Sequence, residues 1–136
     1  MLDLIQSISS GHSGSLAIVH AETPEDCFSR MVTMMLMSGI QLSTLEIQRQ
    51  VARAIDIIVH IELYLDGKRR VSYVTDFLVD EKQDKVLFND IFRFETKGMQ
   101  SNGELSGEWI MDKRKPSFYP KFAKRMVKLP DGFFDA

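Results

Sequence analysis

Two histidines bracket two glycines in the segment Gly11-His12-Ser13-Gly14-Ser15-Leu16-Ala17-Ile18-Val19-His20-Ala21. An imidazole can donate a hydrogen bond to a phosphate oxygen or to a water. Glycine lets the backbone turn tightly and approach a ligand closely. The run Leu16 to Val19 is short, apolar and partly β-branched, which predicts a buried strand. His12 then stands at the start of that strand and His20 at its end. Strand ends in open α/β sheets are where ligands bind. A single histidine near a strand is most often structural, and on these residues alone His12 reads that way. His60 alternates with Ile58 and Glu62 within an apolar stretch and also reads as structural.

The elements that must position this segment follow from local signals. Leu2, Ile5 and Ile8 repeat at helical spacing and predict a helix over Leu2 to Ser9, with no N-cap in front of it. Thr23-Pro24-Glu25-Asp26 is a helix start: threonine as N-cap, proline at the first position, acids in the first turn. That helix should run to about Met37 and stop at Gly39, with Phe28, Met31, Val32, Met35 and Leu36 as its apolar face. Its four methionines suit partner binding, but methionine at this spacing is more often plain core. Ser43-Thr44-Leu45-Glu46 is a capping box for a helix to about Ala54, with Ile47, Val51 and Ala54 inward.

Residues 56 to 79 read as a hairpin. Ile57, Val59, Ile61 and Leu63 alternate with Ile58, His60, Glu62 and Tyr64. For the odd-numbered apolar sets of both strands to share a face, opposed residues must have an even sum. A three-residue loop, Leu65-Asp66-Gly67, with Gly67 left-handed in a bulge, gives that parity. A third strand, about Lys85 to Phe94, completes an antiparallel meander. Lys97 to Gly107 is rich in Gly, Ser and Asn and reads as a loop. Trp109, Phe118, Tyr119, Phe122, Phe133 and Phe134 are too many large apolar residues for a free end. A short helix is expected from Pro120 to Lys128, and the tail should pack back on the domain.

Composition sets bounds. The chain has 136 residues, enough for one domain with a core. Its net charge of −2 argues neither for nor against nucleic acid. A single cysteine, Cys27, rules out an internal disulfide and fits a reducing compartment. Beside Phe28 on a helix, it reads as a packing residue. No run approaches the ~20 apolar residues of a membrane span. The sequence contains no G-x-x-x-x-G-K-[ST] phosphate loop.

The histidine segment resembles the histidine box of the ATPases that drive type II and type IV secretion and pilus assembly. It is most similar to the tight-adherence (Flp) pilus branch, whose box reads roughly G-H-[DE]-G-S-L-[ST]-T-[IV]-H-A-N. Gly11, His12, Gly14, Ser15, Leu16, His20 and Ala21 match. Ala17, Ile18 and Glu22 depart from it. Further along, Ala54-Ile55-Asp56-Ile57-Ile58-Val59 resembles A-I-D-L-I-V, and Asp66-Gly67-Lys68-Arg69-Arg70-Val71 resembles D-G-x-R-x-V. Asp90-Ile91-Phe92-Arg93-Phe94 resembles D-I-F-x-F. Lys115-Pro116-Ser117-Phe118 and Leu129-Pro130 with Phe133 or Phe134 resemble the family tail. The shared order covers roughly Leu2 to Phe134. Where the family often has an arginine on the helix after the capping box, this chain has Gln48, with Arg49 next to it.

The resemblance implies an α/β fold. It implies the C-terminal portion of a RecA-like P-loop NTPase domain, with helices, a strand and an antiparallel β-meander, lacking the Walker A half. It assigns residues 1–95 to that domain and 96–136 to a tail with a short helix. By the same resemblance His20 senses or contacts the ATP γ-phosphate and His12 orders the loop. Gly11, Gly14 and Ser15 shape the turn, and Arg30 bridges to phosphates or a neighbouring subunit, a solvated helix face being an equal reading for Arg30. The parent would be a hexamer using ATP and Mg2+, at the cytoplasmic face of the inner membrane, docked on a membrane-embedded secretion or pilus-assembly protein. This chain alone would be inactive, with no cofactor held tightly, no metal site of its own and no nucleic-acid partner. Lys68, Arg69 and Arg70, at a hairpin tip, read as a solvated charged end. The second function class is a non-enzymatic interaction module: seven basic residues between Lys113 and Lys128 interleave with Phe118, Tyr119 and Phe122 and could contact a membrane-embedded partner.

Overall fold

The computed structural model describes residues 1–11 and 14–134. These form helices α1 (Leu2–Ser9), α2 (Pro24–Met37) and α3 (Thr44–Ala54), strands β1 (Ile58–Leu63), β2 (Arg69–Asp80), β3 (Lys85–Met99) and β4 (Leu105–Met111), and a short α4 (Pro120–Lys124). The four strands make one sheet in sequential order, β1-β2-β3-β4. The fold is mixed helix and antiparallel sheet. The chain divides into two compact units, Met1–Asp56 with Phe77–Phe88, and Ile57–Asp76 with Asn89–Ala136. The expected division at residue 95 falls inside β3.

In the first unit, the helices begin and end where their caps dictate. Thr23 Oγ1 accepts the Asp26 N–H at 3.1 Å, with Pro24 in the first turn; a cap of this kind is worth about 1 kcal/mol. α2 ends at Met37, and Gly39 follows with φ of 80°. Ser43 Oγ accepts the Glu46 N–H at 3.2 Å and starts α3. α3 packs on both α1 and α2. The core gathers Ile5, Phe28, Met31, Met35, Ile47 and Val51, all buried. Met31 and Met35 are thus core. Leu36, expected on the same apolar face, is exposed instead. Phe28 meets the rings of Phe77 and Phe88 edge-on at 5.1 and 5.5 Å. Cys27 is buried, and burial pushes its thiol pKa up, as suits a packing residue rather than a nucleophile.

The expected strand over Leu16 to Val19 is absent. The segment has no regular structure, and Leu16 and Ile18 are 95% and 87% exposed. A strand exists only where a neighbour takes its N–H and C=O groups, and this segment pairs with none of the four strands.

In the second unit, β1 and β2 join through the three-residue loop Leu65-Asp66-Gly67. Tyr64 donates its N–H to Lys68 at 3.0 Å, and Gly67 holds φ of 75°. Next to the turn the even-sum register holds: Leu63 faces Arg69 and Ile61 faces Val71. A bulge then shifts it, so that His60 faces Tyr73 and Ile58 faces Thr75, with Ser72 as the extra residue. One inserted residue exchanges the two faces of a strand relative to its partner. Accordingly Ile58 is buried while Val59, Ile61 and Leu63 are exposed, the reverse of the inward set expected from alternation. Ser72, fully buried at the bulge, shares a 2.6 Å hydrogen bond with His60 Nδ1, so His60 is structural.

The expected loop over Lys97 to Gly107 is instead the end of β3, a turn and the start of β4. Only residues 100–104 lie between the strands. Thr96 pairs with Gly107, and Gly98 with Ser106, around a second bulge. At Gly107 an added Cβ would lie 2.4 Å from the Phe94 ring and 2.6 Å from the Glu95 carbonyl oxygen. Glycine is therefore required for the ring to lie over the strand. The tail helix is also shorter than expected, ending at Lys124, because Met126 takes a left-handed φ of 56°.

Candidate functional site

His20 follows the irregular segment and Arg30 sits in the second turn of α2. Both are exposed, and both line one open hollow, together with Glu22, Asp26, Thr33 and Met37. The sequence therefore named two residues that the fold brings to the same surface. Arg30 arrives there because Thr23 and Pro24 fix where α2 begins; residues 26, 30, 33 and 37 then recur on one helical face. The hollow mixes two potential cations with two carboxylates, an arrangement able to bind a polar ligand by hydrogen bonds and charge.

The remaining expected site residues are placed differently. Gly11 and Gly14 hold positive φ of 105° and 93°. They and Ser15 are exposed and do not line the hollow that holds His20 and Arg30. His12 lies outside the described residues. His20 does not stand at a strand end, since that strand is absent. Among the described residues no three His, Cys, Asp or Glu side chains gather to hold a metal, and no helix is long and apolar enough to cross a membrane.

Of the two arginines of α3, Arg49 makes a short ion pair, while Arg53 is largely exposed. Arg49 donates to Asp84 Oδ1 at 2.6 Å, and Arg53 lies 3.9 Å from Glu81. Both acids belong to the turn between β2 and β3, so α3 is tied to that turn.

Lys68 and Arg69 at the hairpin tip are exposed, as expected, but Arg70 is not solvated. Arg70 forms a bidentate pair with Asp66, 2.8 and 2.6 Å, and the Asp66 side chain is 1% exposed. The guanidinium also lies over the rings of Tyr64 and Phe94, at 5.4 and 5.6 Å to their centroids. Phe94 in turn contacts Trp109 at 4.8 Å. Asp66 accepts further N–H bonds from Lys68 and Leu105. The Arg70 guanidinium and these amides hold its carboxyl well below the usual carboxylate range. Lys68 bonds Glu104 at 2.6 Å. Arg69, which aligns with the arginine of the D-G-x-R-x-V pattern, is exposed. The arginine that forms the buried pair, Arg70, is therefore one residue away from the motif position, a displacement that only the paired structure reveals.

No known family profile matches the chain. Two relatives from Mycobacterium tuberculosis, strains CDC 1551 and H37Rv, each named for conjugal transfer, are 27% identical to it over 74 residues. The match covers 54% of this chain and 20% of each relative. The chain thus matches only about a fifth of the length of these curated relatives.

Proposed function

We propose that this chain is the histidine-box, C-terminal part of an ATPase of the type II/type IV secretion class, of the tight-adherence pilus branch. The observation that carries this reading is the shared hollow of His20 and Arg30, reached by two residues that the resemblance singles out. The likeness to conjugal transfer proteins supports the same direction. In this reading the fold is the far portion of a RecA-like domain. The complete protein is a hexamer at the cytoplasmic face of the inner membrane, bound to a membrane-embedded assembly partner.

The side chains present suit one part of a nucleotide site. The His20 imidazole and the Arg30 guanidinium can both donate to phosphate oxygens. Bound ATP with Mg2+ would supply the phosphoryl group and neutralise part of its charge. His20 would hold a terminal phosphate oxygen, and Arg30 would add a fixed positive charge. The phosphate-gripping loop is not among these 136 residues, so this chain by itself turns over no ATP.

The reading frame upstream of the Met1 codon tests the proposal. An in-frame G-x-x-x-x-G-K-[ST] loop is expected there. In the extended protein His20→Ala should lower turnover at least ~10-fold, about 1.4 kcal/mol of barrier. Absence of the loop, or turnover indifferent to His20→Ala, would sink it.

A second reading, a non-enzymatic interaction module, is favoured by the tail. Phe118, Tyr119, Phe122 and Phe134 form a chain of edge-to-face ring contacts at 5.5 to 6.0 Å. Lys121, Lys124, Arg125 and Lys128 are exposed beside them. This cationic surface suits an anionic face on an assembly partner. Binding to anionic vesicles that salt abolishes would instead assign it to lipid.

A further inference from the structure

β1 is an edge strand, with β2 on one side and no strand of the described residues on the other. Tyr64 gives its N–H to Lys68 across the hairpin. Hydrogen-bonding direction alternates along an antiparallel strand. The N–H and C=O groups of Leu63, Ile61 and Val59 therefore point to the open edge. The side chains of the same three residues are 59%, 59% and 53% exposed, and Ile57 and Leu65 extend the row. Edges of this kind template pairing unless proline or charged side chains, lysine above all, blunt them; 57–63 contains no lysine or proline, and its one charged residue is Glu62.

We propose that a second copy of this chain adds its own β1 to this edge, antiparallel, about a twofold axis at Ile61. Charge selects this register from its neighbours. An axis at Glu62 would set Glu62 against itself, and like charges directly opposed are destabilising. An axis at His60 would set Glu62 against Ile58. An axis at Ile61 sets Glu62 of each copy opposite His60 of the other, pairing an anion with a base twice. The same register opposes Val59 with Leu63 and Ile57 with Leu65, so the two exposed rows become one apolar surface. A twofold interface repeats every contact, as self-complementary edges require. The inference stands apart from the ATPase reading, since it uses only the second unit's edge strand.

The test uses the whole chain in a Cys27→Ala background. Light scattering should give twice the 15.6 kDa chain mass. Ile61→Lys should return it to the single-chain mass with circular dichroism unchanged. On mild oxidation Ile61→Cys should form a disulfide-linked dimer, because residue 61 faces itself across the axis. Val59→Cys should not, because its counterpart lies about 13 Å away along the strands. A single-chain mass at high concentration would overturn the proposal and leave the edge to a strand of a different protein. A dimer in which Val59→Cys links as readily as Ile61→Cys would overturn it too. Should Ile61→Lys fail to fold, the two cysteine variants decide.

Discussion

The buried carboxylate of Asp76 accepts the backbone N–H of Ser117 at 2.6 Å while its other oxygen accepts from Asn89 at 2.8 Å. Asp76 thereby fixes the start of the tail 41 residues along the chain. Pro116 is buried at the same place. The order of the tail rests on a polar anchor as well as on its aromatic rings.

Asp76→Ala should therefore release this segment. Limited proteolysis of the unaltered chain is expected to spare the bonds between Trp109 and Phe122. The variant should be cut there quickly while the helices stay intact by mass. Equal resistance in both proteins would show that the rings alone dock the tail.

The Asp66–Arg70 pair makes stability depend on acid. The folded state holds the Asp66 carboxyl below its ordinary value, so the unfolded chain takes up the proton more readily. The stabilisation is complete above the ordinary carboxylate value, about pH 4, and is lost as pH falls below it. Glu104 and Asp112 are lowered in the same sense by Lys68 and Arg114, but they are more exposed and salt screens them more. Asp66→Asn should lower Tm at pH 7 and flatten the fall of Tm between pH 4 and 2. An unchanged acid limb would assign that fall to other carboxylates.

Gly107 is expected to tolerate no side chain. The contact at 2.6 Å is with backbone, the Glu95 carbonyl, which cannot swing aside. Gly107→Ala should cost on the order of 1–3 kcal/mol, the range for overpacking. Urea unfolding followed by the fluorescence of Trp109 reads this directly, since Trp109 packs on the same Phe94 ring.

His20→Ala and Arg30→Ala should leave stability within about ±0.5 kcal/mol, the usual range for surface positions. Both residues are exposed. Thermal unfolding of the 136-residue chain checks this. A large loss in either variant would make that residue structural and remove it from the proposed nucleotide contact.

The helices were legible because their signals are local. Thr23, Pro24 and Ser43 act within one turn of themselves, and the structure starts α2 and α3 beside them. The hairpin loop at residues 65–67 was legible for the same reason. The facing of β1 was not, because it depends on Ser72, an ordinary serine that becomes a bulge only through pairing. Nor was β4: its glycine and serine content suggests a loop, whereas Gly107 is there to admit Phe94. Of the site, His20 and Arg30 were legible as residue types. Their meeting in one hollow depends on how the segment before α2 folds back, which no local pattern encodes.

The bond from the Leu105 N–H to Asp66 closes a contact across 39 residues. Such closure is slow to reach, because chain entropy is lost before the contact repays it. The β1–β2 hairpin can form from neighbours alone, but this clasp needs the β3–β4 hairpin in place. Loss of the Asp66 carboxylate removes this late clasp together with its local bonds to Arg70 and Lys68, so the clasp's share is the part of the effect that falls on unfolding. In a chevron plot the clasp's share is read as a rise of the unfolding arm, and the share of the local hairpin bonds as a fall of the folding arm. The clasp would then govern how long the folded molecule lasts rather than how fast it forms.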